Sequence, residues 1–313
     1  MKTQVGRVLA KTQSRDRVHP ALFAYRTGLV SRAPLVLSPA MAAKSEFHEI
    51  DTGVAEVLHE PDGSMVLLVN GVPSSHIVPG EPTRLDFEYM RWMADFLNDA
   101  YPETKRAKSR LTHLGGGACT LARYFAAAWP GSRSTVVEID SELAVLAREL
   151  FDVPRSPTVK IRVGDARKVT DAFKPATRDV IIRDAFSSAT TPRNLTTVEF
   201  YRAAWMSLSE GGFYVANCGS HSDLKEAKEE LAGMLEVFPH VAAIADPPML
   251  KGRRYGNIVL IGAGSPLEAS DTLTRNLLKG GLPAQFKDEA WCRRLATQPR
   301  HDPTPDPAAS ETP

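Results

Sequence analysis

Hydrophobic and polar residues first alternate regularly just after Phe47, in two short runs at residues 54–59 and 65–69. A Pro-Asp-Gly-Ser segment at 61–64 separates the two runs. Alternation with a period of two on both sides of an Asp-Gly turn predicts a β-hairpin. We therefore expect a small N-terminal β unit over residues 46–78.

A different spacing follows the proline-rich stretch near Pro79. Apolar residues now recur two to four positions apart, at Leu85, Phe87, Tyr89, Trp92, Met93 and Phe96. This spacing predicts an amphipathic helix that packs on a core. Its apolar face, with Trp92, is our candidate surface for a homodimer.

From residue 110 onward, short apolar strands alternate with helical segments. Strands are predicted at 110–114, 134–138, 159–163, 179–182, 213–218, 240–245 and 257–261. Helices are predicted at 120–129, 141–150, 196–208 and 222–238. Alternating β and α units with apolar strands predict an α/β domain, with a parallel sheet covered by helices on both faces. We assign this Rossmann-like domain to residues 79–264.

The two ends of the chain lack this patterning. Residues 1–45 are basic and show no sustained period, so we expect a disordered extension. The pattern also weakens beyond Gly264, and we treat residues 265–313 as a C-terminal extension. Its last part, from about residue 298, is rich in Pro, Thr, Ala and Asp and is expected to be disordered.

Composition excludes several classes of protein. The 38 basic and 37 acidic residues nearly balance, which argues against a globally basic nucleic-acid-binding protein. No apolar run approaches the roughly 18 residues of a membrane-spanning helix, so we expect no membrane partner. The three cysteines have neither disulfide nor metal-ligand spacing. We expect a cytoplasmic protein without a metal.

Candidate chemistry lies where the predicted strands end. Glycines 115–117 follow the first strand of the domain, and Glu138, Asp165 and Asp184 end the next three. In such sheets ligands bind at the carboxyl ends of the strands, and glycines let the backbone approach them closely. A dinucleotide fingerprint would need glycine at position 120, which is Thr120, so pyrophosphate binding loses support. Acids placed for ribose and adenine point instead to an adenosyl sulfonium ligand.

Taken together, these motifs resemble the spermidine synthase family, a branch of the class I S-adenosylmethionine-dependent transferases. The matching segments are HLGGGACTL at 113–121, VEID at 137–140, VGDA at 163–166, DVIIRD at 179–184, EFY at 199–201 and GG at 211–212. The resemblance runs from about residue 54 to 261 and is strongest to actinobacterial spermidine-synthase-like proteins. It implies a class I methyltransferase fold with a mostly parallel seven-stranded sheet.

The resemblance also implies roles for individual residues. Gly115, Gly116, Gly117 and Glu138 would hold the ribose and the methionine-derived part of the cofactor. Asp165 and the Ala166 backbone would contact the adenine, Asp184 would be catalytic, and Tyr89 and Ser187 would lie at the substrate. The implied co-substrate is S-adenosylmethionine or its decarboxylated form. The implied activity is aminopropyl transfer to a small amine of the polyamine type.

Three positions depart from the family pattern. Ala118 and Ser187 stand where the family normally has aspartates, and Ser74 stands where it has glutamine. Fewer carboxylates near a cationic amine weaken the electrostatic attraction for it. Two alternatives therefore stay open: a methyltransferase with an unknown acceptor, and a non-catalytic regulatory protein that binds a nucleoside. A nicotinamide oxidoreductase is disfavoured by Thr120.

Other noticeable residues have simpler interpretations. Cys119 has no histidine near it in sequence and is expected to be a small buried residue. We interpret His113 as a core or rim residue. The basic turn at 251–254 is expected to be a solvated loop. The charged cluster at 225–230 is expected to be the solvent face of a helix.

Overall fold

The computed structural model describes residues 44–187 and 190–303. Most of the expected N-terminal extension and the end of the expected C-terminal one lie outside the described residues. The described residues form two sheets, one small and antiparallel, the other large and mixed.

The small sheet is an antiparallel meander of four strands in chain order. Its strands are β1 (Lys44–Ile50), β2 (Gly53–His59), β3 (Met65–Val69) and β4 (Val72–Ile77). The predicted hairpin is β2 and β3, and Asp62 closes its turn by accepting a hydrogen bond of 2.9 Å from the Ser64 amide. Asn70 and Gly71, both with positive φ, make the two-residue turn into β4. The predicted hairpin is therefore half of this sheet.

The large sheet has eight strands in the order β12-β10-β11-β9-β8-β5-β6-β7. The strands are β5 (Arg110–Leu114), β6 (Arg133–Glu138), β7 (Val159–Val163), β8 (Arg178–Arg183), β9 (Leu208–Ser220), β10 (His240–Ala245), β11 (Gly256–Ala263) and β12 (Gln285–Lys287). Strands β5 to β9 pair in parallel, and β10, β11 and β12 pair antiparallel with their neighbours. This confirms the α/β class and the mostly parallel sheet. The strand count of seven was wrong by one, because β12 adds an edge strand.

Ten helices accompany the sheet within the described residues. They are α1 (Glu88–Ala100), α2 (Glu103–Arg106), α3 (Thr120–Ala128), α4 (Ser141–Leu150), α5 (Ala166–Asp171), α6 (Val198–Ser207), α7 (Lys225–Leu235), α8 (Pro247–Leu250), α9 (Asp271–Leu277) and α10 (Glu289–Leu295). Side chains cap several of them: Asp140 accepts from the Leu143 amide at 2.8 Å, and Thr197 accepts from the Phe200 amide at 3.3 Å. These caps fix where the helices begin after the strands.

The hydrophobic core has two parts. The larger lies between the main sheet and its helices, and the smaller lies where the small sheet packs against α3 and α4. Trp92 on α1 belongs to the larger part and is 2% exposed. The apolar face of this helix is therefore covered within the chain, which corrects its proposed use as a dimer surface.

The segment after Gly264 packs against the domain rather than extending from it. It supplies α9, β12 and α10. Strand β12 has only three residues, which are too few for a sequence pattern to reveal. Residues 298–303, which we call the C-terminal strap, lie across the start of α6: the Arg300 carbonyl accepts from the Val198 amide at 2.9 Å, and Asp302 pairs with Arg167 at 2.6 Å. The prediction of disorder from about residue 298 is therefore wrong for these six residues, because Arg300 and Asp302 form ion pairs with Glu229 and Arg167.

Over the described ranges, we find no helix with the length and apolar character needed to cross a bilayer.

Candidate active site

A cavity of about 440 Å³ lies at the carboxyl edge of the main sheet. All of the site residues expected from the sequence line it: Tyr89, Gly115, Gly116, Gly117, Glu138, Asp165, Ala166, Asp184 and Ser187. All except Tyr89, which lies on α1, meet because the carboxyl ends of β5 to β8 lie side by side at one edge. The structure thus brings together residues that are up to 98 positions apart in the chain.

The glycine loop after β5 lies against two neighbouring strands. Gly115 has φ +95°, and a Cβ there would lie 2.4 Å from the Asp184 carbonyl oxygen, so only glycine fits. The amides of Gly116 and Gly117 donate to the same oxygen of Glu138, at 2.8 and 3.3 Å. Glu138 therefore holds the shape of the loop and lies at the cavity wall with it.

The tips of β6 and β7 make one end of the cavity. Asp165 accepts from the Lys168 amide at 2.8 Å and caps α5, which places Ala166 at the first position of that helix. Apolar side chains of Ile139, Pro192 and Leu195 line the same cavity. An apolar wall beside acidic groups suits a flat heterocycle attached to a sugar.

Asp184, directly after β8, is held by two neutral donors. The Tyr89 hydroxyl donates to Oδ2 at 2.9 Å, and the Asn217 side-chain amide donates to Oδ1 at 2.9 Å. Hydrogen bonds to a carboxylate fix its orientation. Asn217 is 2% exposed, and its own Oδ1 has no hydrogen-bond partner among the described residues.

Sequence analysis missed Asn217. The available signal was a single amide in the otherwise apolar run FYVANC of β9. Polar side chains in a strand core are uncommon unless they are hydrogen-bonded, and this one donates to Asp184.

A buried ion pair lies behind Asp184. Arg183 and Glu230 are almost completely buried, and Nη2 of Arg183 lies 2.5 Å from Oε2 of Glu230. The Tyr201 hydroxyl donates to the same oxygen at 2.8 Å. Burial opposes the charge of the guanidinium, but the Glu230 carboxylate prevails and raises the pKa of Arg183. Arg183 also donates to the Asn217 carbonyl at 3.3 Å, which ties β9 to β8 beside the cavity.

This pair corrects the expected solvent face at 225–230 for one residue, Glu230, while Lys225, Lys228 and Glu229 are exposed or partly exposed. Glu230 is 1% exposed because this position of α7 turns inward to Arg183.

The three departures from the family pattern have different surroundings. Ala118 is completely buried in the smaller core, and its amide donates to the Ser75 hydroxyl at 3.1 Å. Ser74 lines the cavity next to Gly117. Ser187 is exposed at the cavity and pairs through its backbone with Thr190. Serine hydroxyls therefore stand at two of these three positions, and the Ser75 hydroxyl lies beside the third.

The far end of the cavity is made by the tip of β10 and the start of β11. Asp246 follows β10, and its Oδ2 lies 2.5 Å from Nη2 of Arg254. The expected solvated loop is wrong for Arg254, whose side chain is 15% exposed because it lies on this carboxylate. Arg254 is the only basic side chain among the described residues that line the cavity.

Cys119 and His113 take no part in this chemistry. Burial raises the pKa of Cys119 to about 12 and lowers the pKa of His113 to about 3. The thiol is therefore protonated and the imidazole neutral near pH 7, which agrees with their interpretation as core residues.

Comparisons with known proteins agree with these features. A probable spermidine synthase from Corynebacterium glutamicum, solved by crystallography, is 55% identical, covers 83% of this chain and 97% of its own, and superposes with a TM-score of 0.79. A polyamine aminopropyltransferase of Neisseria meningitidis is 28% identical over 199 residues, which are 63% of this chain and 70% of the relative. A spermidine synthase in complex with the transition-state analogue AdoDATO is 17% identical, covers 72% of this chain and 75% of its own, and has a TM-score of 0.55, which shows a shared fold. No family model matches the chain.

Proposed function

Because the chain belongs to the spermidine synthase family, we propose that it is an aminopropyltransferase of polyamine biosynthesis. The co-substrate in this proposal is decarboxylated S-adenosylmethionine, and the acceptor is a small amine. The relatives named above are spermidine synthases and polyamine aminopropyltransferases. A cytoplasmic location stays a prediction from the sequence.

The observation that carries the proposal is the charge of the cavity around Asp184. Five carboxylates line it, those of Glu88, Glu138, Asp165, Asp184 and Asp246. Two of them are paired with guanidinium groups, Glu88 with Arg91 and Asp246 with Arg254, so three negative charges remain in excess. A cleft lined by one sign of charge concentrates ligands of the opposite sign. A sulfonium nucleoside and an amine are both such ligands, and a pyrophosphate is not.

The nucleoside end of the cavity lies at the tips of β6 and β7 in this proposal. Glu138 accepts hydrogen bonds from the ribose hydroxyls, and Asp165 with the Ala166 amide contacts the adenine. The sulfonium group then lies near the glycine loop. Ala118 supplies no carboxylate, and the neutral Ser74 hydroxyl lines this part of the cavity, which makes it less selective for the aminopropyl ammonium than an aspartate would.

The reaction is a displacement at the carbon next to sulfur. The amine nitrogen attacks this carbon, the carbon–sulfur bond breaks, and its electron pair remains on the sulfur of methylthioadenosine. The attacking nitrogen must lose a proton, and Asp184 accepts it. Tyr89 and Asn217 hold the two oxygens of Asp184 in place, so the carboxylate needs no reorientation as the bond forms.

The test is a comparison of two isosteric variants. We expect Asp184→Asn to lower kcat by roughly a hundredfold or more while the cofactor Kd changes less than about threefold. Asp165→Asn should do the opposite and weaken cofactor binding with a smaller effect on kcat. Product formation is followed by mass spectrometry, which distinguishes an added aminopropyl group from an added methyl group.

Three results would contradict the proposal. They are a methylated product, equal loss of kcat and affinity in Asp184→Asn, and tight cofactor binding without any product from a panel of amines. The second would remove Asp184 as the proton acceptor, and the other two would remove aminopropyl transfer.

A further inference from the structure

The ion pair at the far end of the cavity lies on the acceptor side of the reacting centre. Along the sheet, the tips of β6 and β7 lie on one side of Asp184, and the tips of β9, β11 and β10 lie on the other. If the nucleoside occupies the first side, the acceptor extends towards the second. Asp246 and Arg254 close that end.

Asp246 is fully engaged by the protein itself. Its side chain is 2% exposed, one oxygen accepts from the Met249 amide at 3.3 Å, and the other lies 2.5 Å from Nη2 of Arg254. A buried carboxylate next to a cavity would otherwise attract a cation from solution. Here the cation belongs to the chain.

The backbone around Arg254 is shaped to hold its guanidinium there. A Cβ on Gly256 would lie 2.8 Å from Nη1, so glycine at this position leaves the room that the group occupies. The same Nη1 donates to the Tyr255 carbonyl at 2.9 Å. The guanidinium is thus fixed by contacts on both of its amino groups.

Aromatic surface lies between this pair and Asp184. The hydroxyl of Tyr255 and the ring of Phe186 approach Gly219, 3.0 and 3.3 Å from where its Cβ would be. Both rings line the cavity and are partly exposed. Such surface suits the hydrocarbon chain of an acceptor.

We propose that Arg254 determines acceptor specificity by occupying Asp246 in place of a substrate cation. The preferred acceptor is then an amine with one positive charge at its reacting end and an uncharged remainder, rather than an α,ω-diamine. This inference rests on the proposed function, because it assigns the far end of the cavity to the acceptor.

The experiment compares putrescine with butylamine, which have the same carbon chain and differ in the second amine. We expect kcat/KM of the unmodified protein for butylamine to equal or exceed that for putrescine. Arg254→Met exposes the Asp246 carboxylate to the acceptor and should raise kcat/KM for putrescine by roughly tenfold, with the value for butylamine within about threefold. Arg254→Lys keeps a cation at Asp246 and should retain the original preference.

Arg253→Met is the matched control, because Arg253 is exposed and does not line the cavity. It should leave both rates unchanged. Thermal unfolding establishes that each variant folds, and Arg254→Gln replaces Arg254→Met if that variant does not. A strong preference of the unmodified protein for putrescine would overturn the inference. So would an equal loss of both rates in the folded Arg254 variant.

Binding separates this inference from the proposed function. Calorimetry measures the affinity of putrescine and butylamine for protein saturated with methylthioadenosine. If no amine is aminopropylated but Arg254→Met still gains affinity for putrescine alone, the proposed function fails and the assignment of Arg254 stands. If transfer occurs and that gain is missing from both rates and affinities, the assignment of Arg254 fails and the proposed function stands.

Discussion

Replacing Asn217 by alanine should separate the catalytic use of this side chain from its structural use. Asn217 donates to Oδ1 of Asp184 at 2.9 Å, while Tyr89 holds the other oxygen at 2.9 Å. The variant removes one of these two donors and leaves the other. Its backbone carbonyl still accepts from Arg183 at 3.3 Å, so the join between β8 and β9 is kept.

The expected effect on the rate is larger than the effect on stability. A hydrogen bond to a charged group contributes about 1.5–3 kcal/mol. If that contribution is made to the transition state, its loss lowers kcat by roughly tenfold to 150-fold. The same variant deletes the Asn217 Oδ1, a buried oxygen without a partner among the described residues, which relieves a cost of about 1–3 kcal/mol. We therefore expect the free energy of unfolding to change by less than about 1 kcal/mol.

The assay measures methylthioadenosine release under saturating substrates, together with urea unfolding of the same preparations. Asp184→Asn provides the reference background for a double-mutant cycle. In that background, Asn217→Ala should cost less than about twofold in kcat, because the carboxylate it orients is gone. Parallel losses of stability and rate would refute the reasoning, and so would a full additional loss in the Asp184→Asn background.

Two further predictions follow from Glu138 and His113. Glu138→Gln should raise the cofactor Kd by roughly tenfold, because the glutamine side chain accepts fewer hydrogen bonds from the ribose and from the backbone amides of Gly116 and Gly117. An unchanged Kd in calorimetry would contradict this prediction. Burial lowers the pKa of His113 from 6.5 to about 3 in the folded protein. As the pH falls below 6.5, the unfolded chain binds a proton at this residue before the folded protein does, so the free energy of unfolding decreases between pH 6.5 and about pH 3. At about pH 4.5 this loss is about 2–3 kcal/mol, and urea unfolding should show a smaller loss in His113→Gln than in the unmodified protein.

The strand tips were predictable because they depend on local pattern. Glu138 ends β6, and Asp165 and Asp184 follow β7 and β8 within two residues. A parallel sheet brings such positions to one edge. Local spacing was enough to place the glycine loop beside them. The same logic failed for β12, whose three residues are too few for a period to be recognised.

The acceptor side of the cavity depends on contacts between distant elements, and no local pattern records them. Arg254 looks like part of a basic surface turn until β10 and β11 place it on Asp246. Glu230 looks like a solvated residue until α7 packs over Arg183. In both cases a residue of opposite charge balances the buried charge. The chain has many residues of that charge, and the sequence does not indicate which one is the partner.

The C-terminal strap contacts two helices, α5 and α6, beside the end of the cavity that the proposed function assigns to the nucleoside. Asp302 grips Arg167, a residue of the helix that Asp165 caps, while Arg300 grips the start of α6. If a bound nucleoside stabilises α5, it also stabilises the attachment of the strap to that helix. Detachment of the strap then lowers the affinity for the nucleoside by the same factor. The rate at which a protease cleaves the strap would then decrease when the nucleoside is bound, although the protease does not contact the cavity.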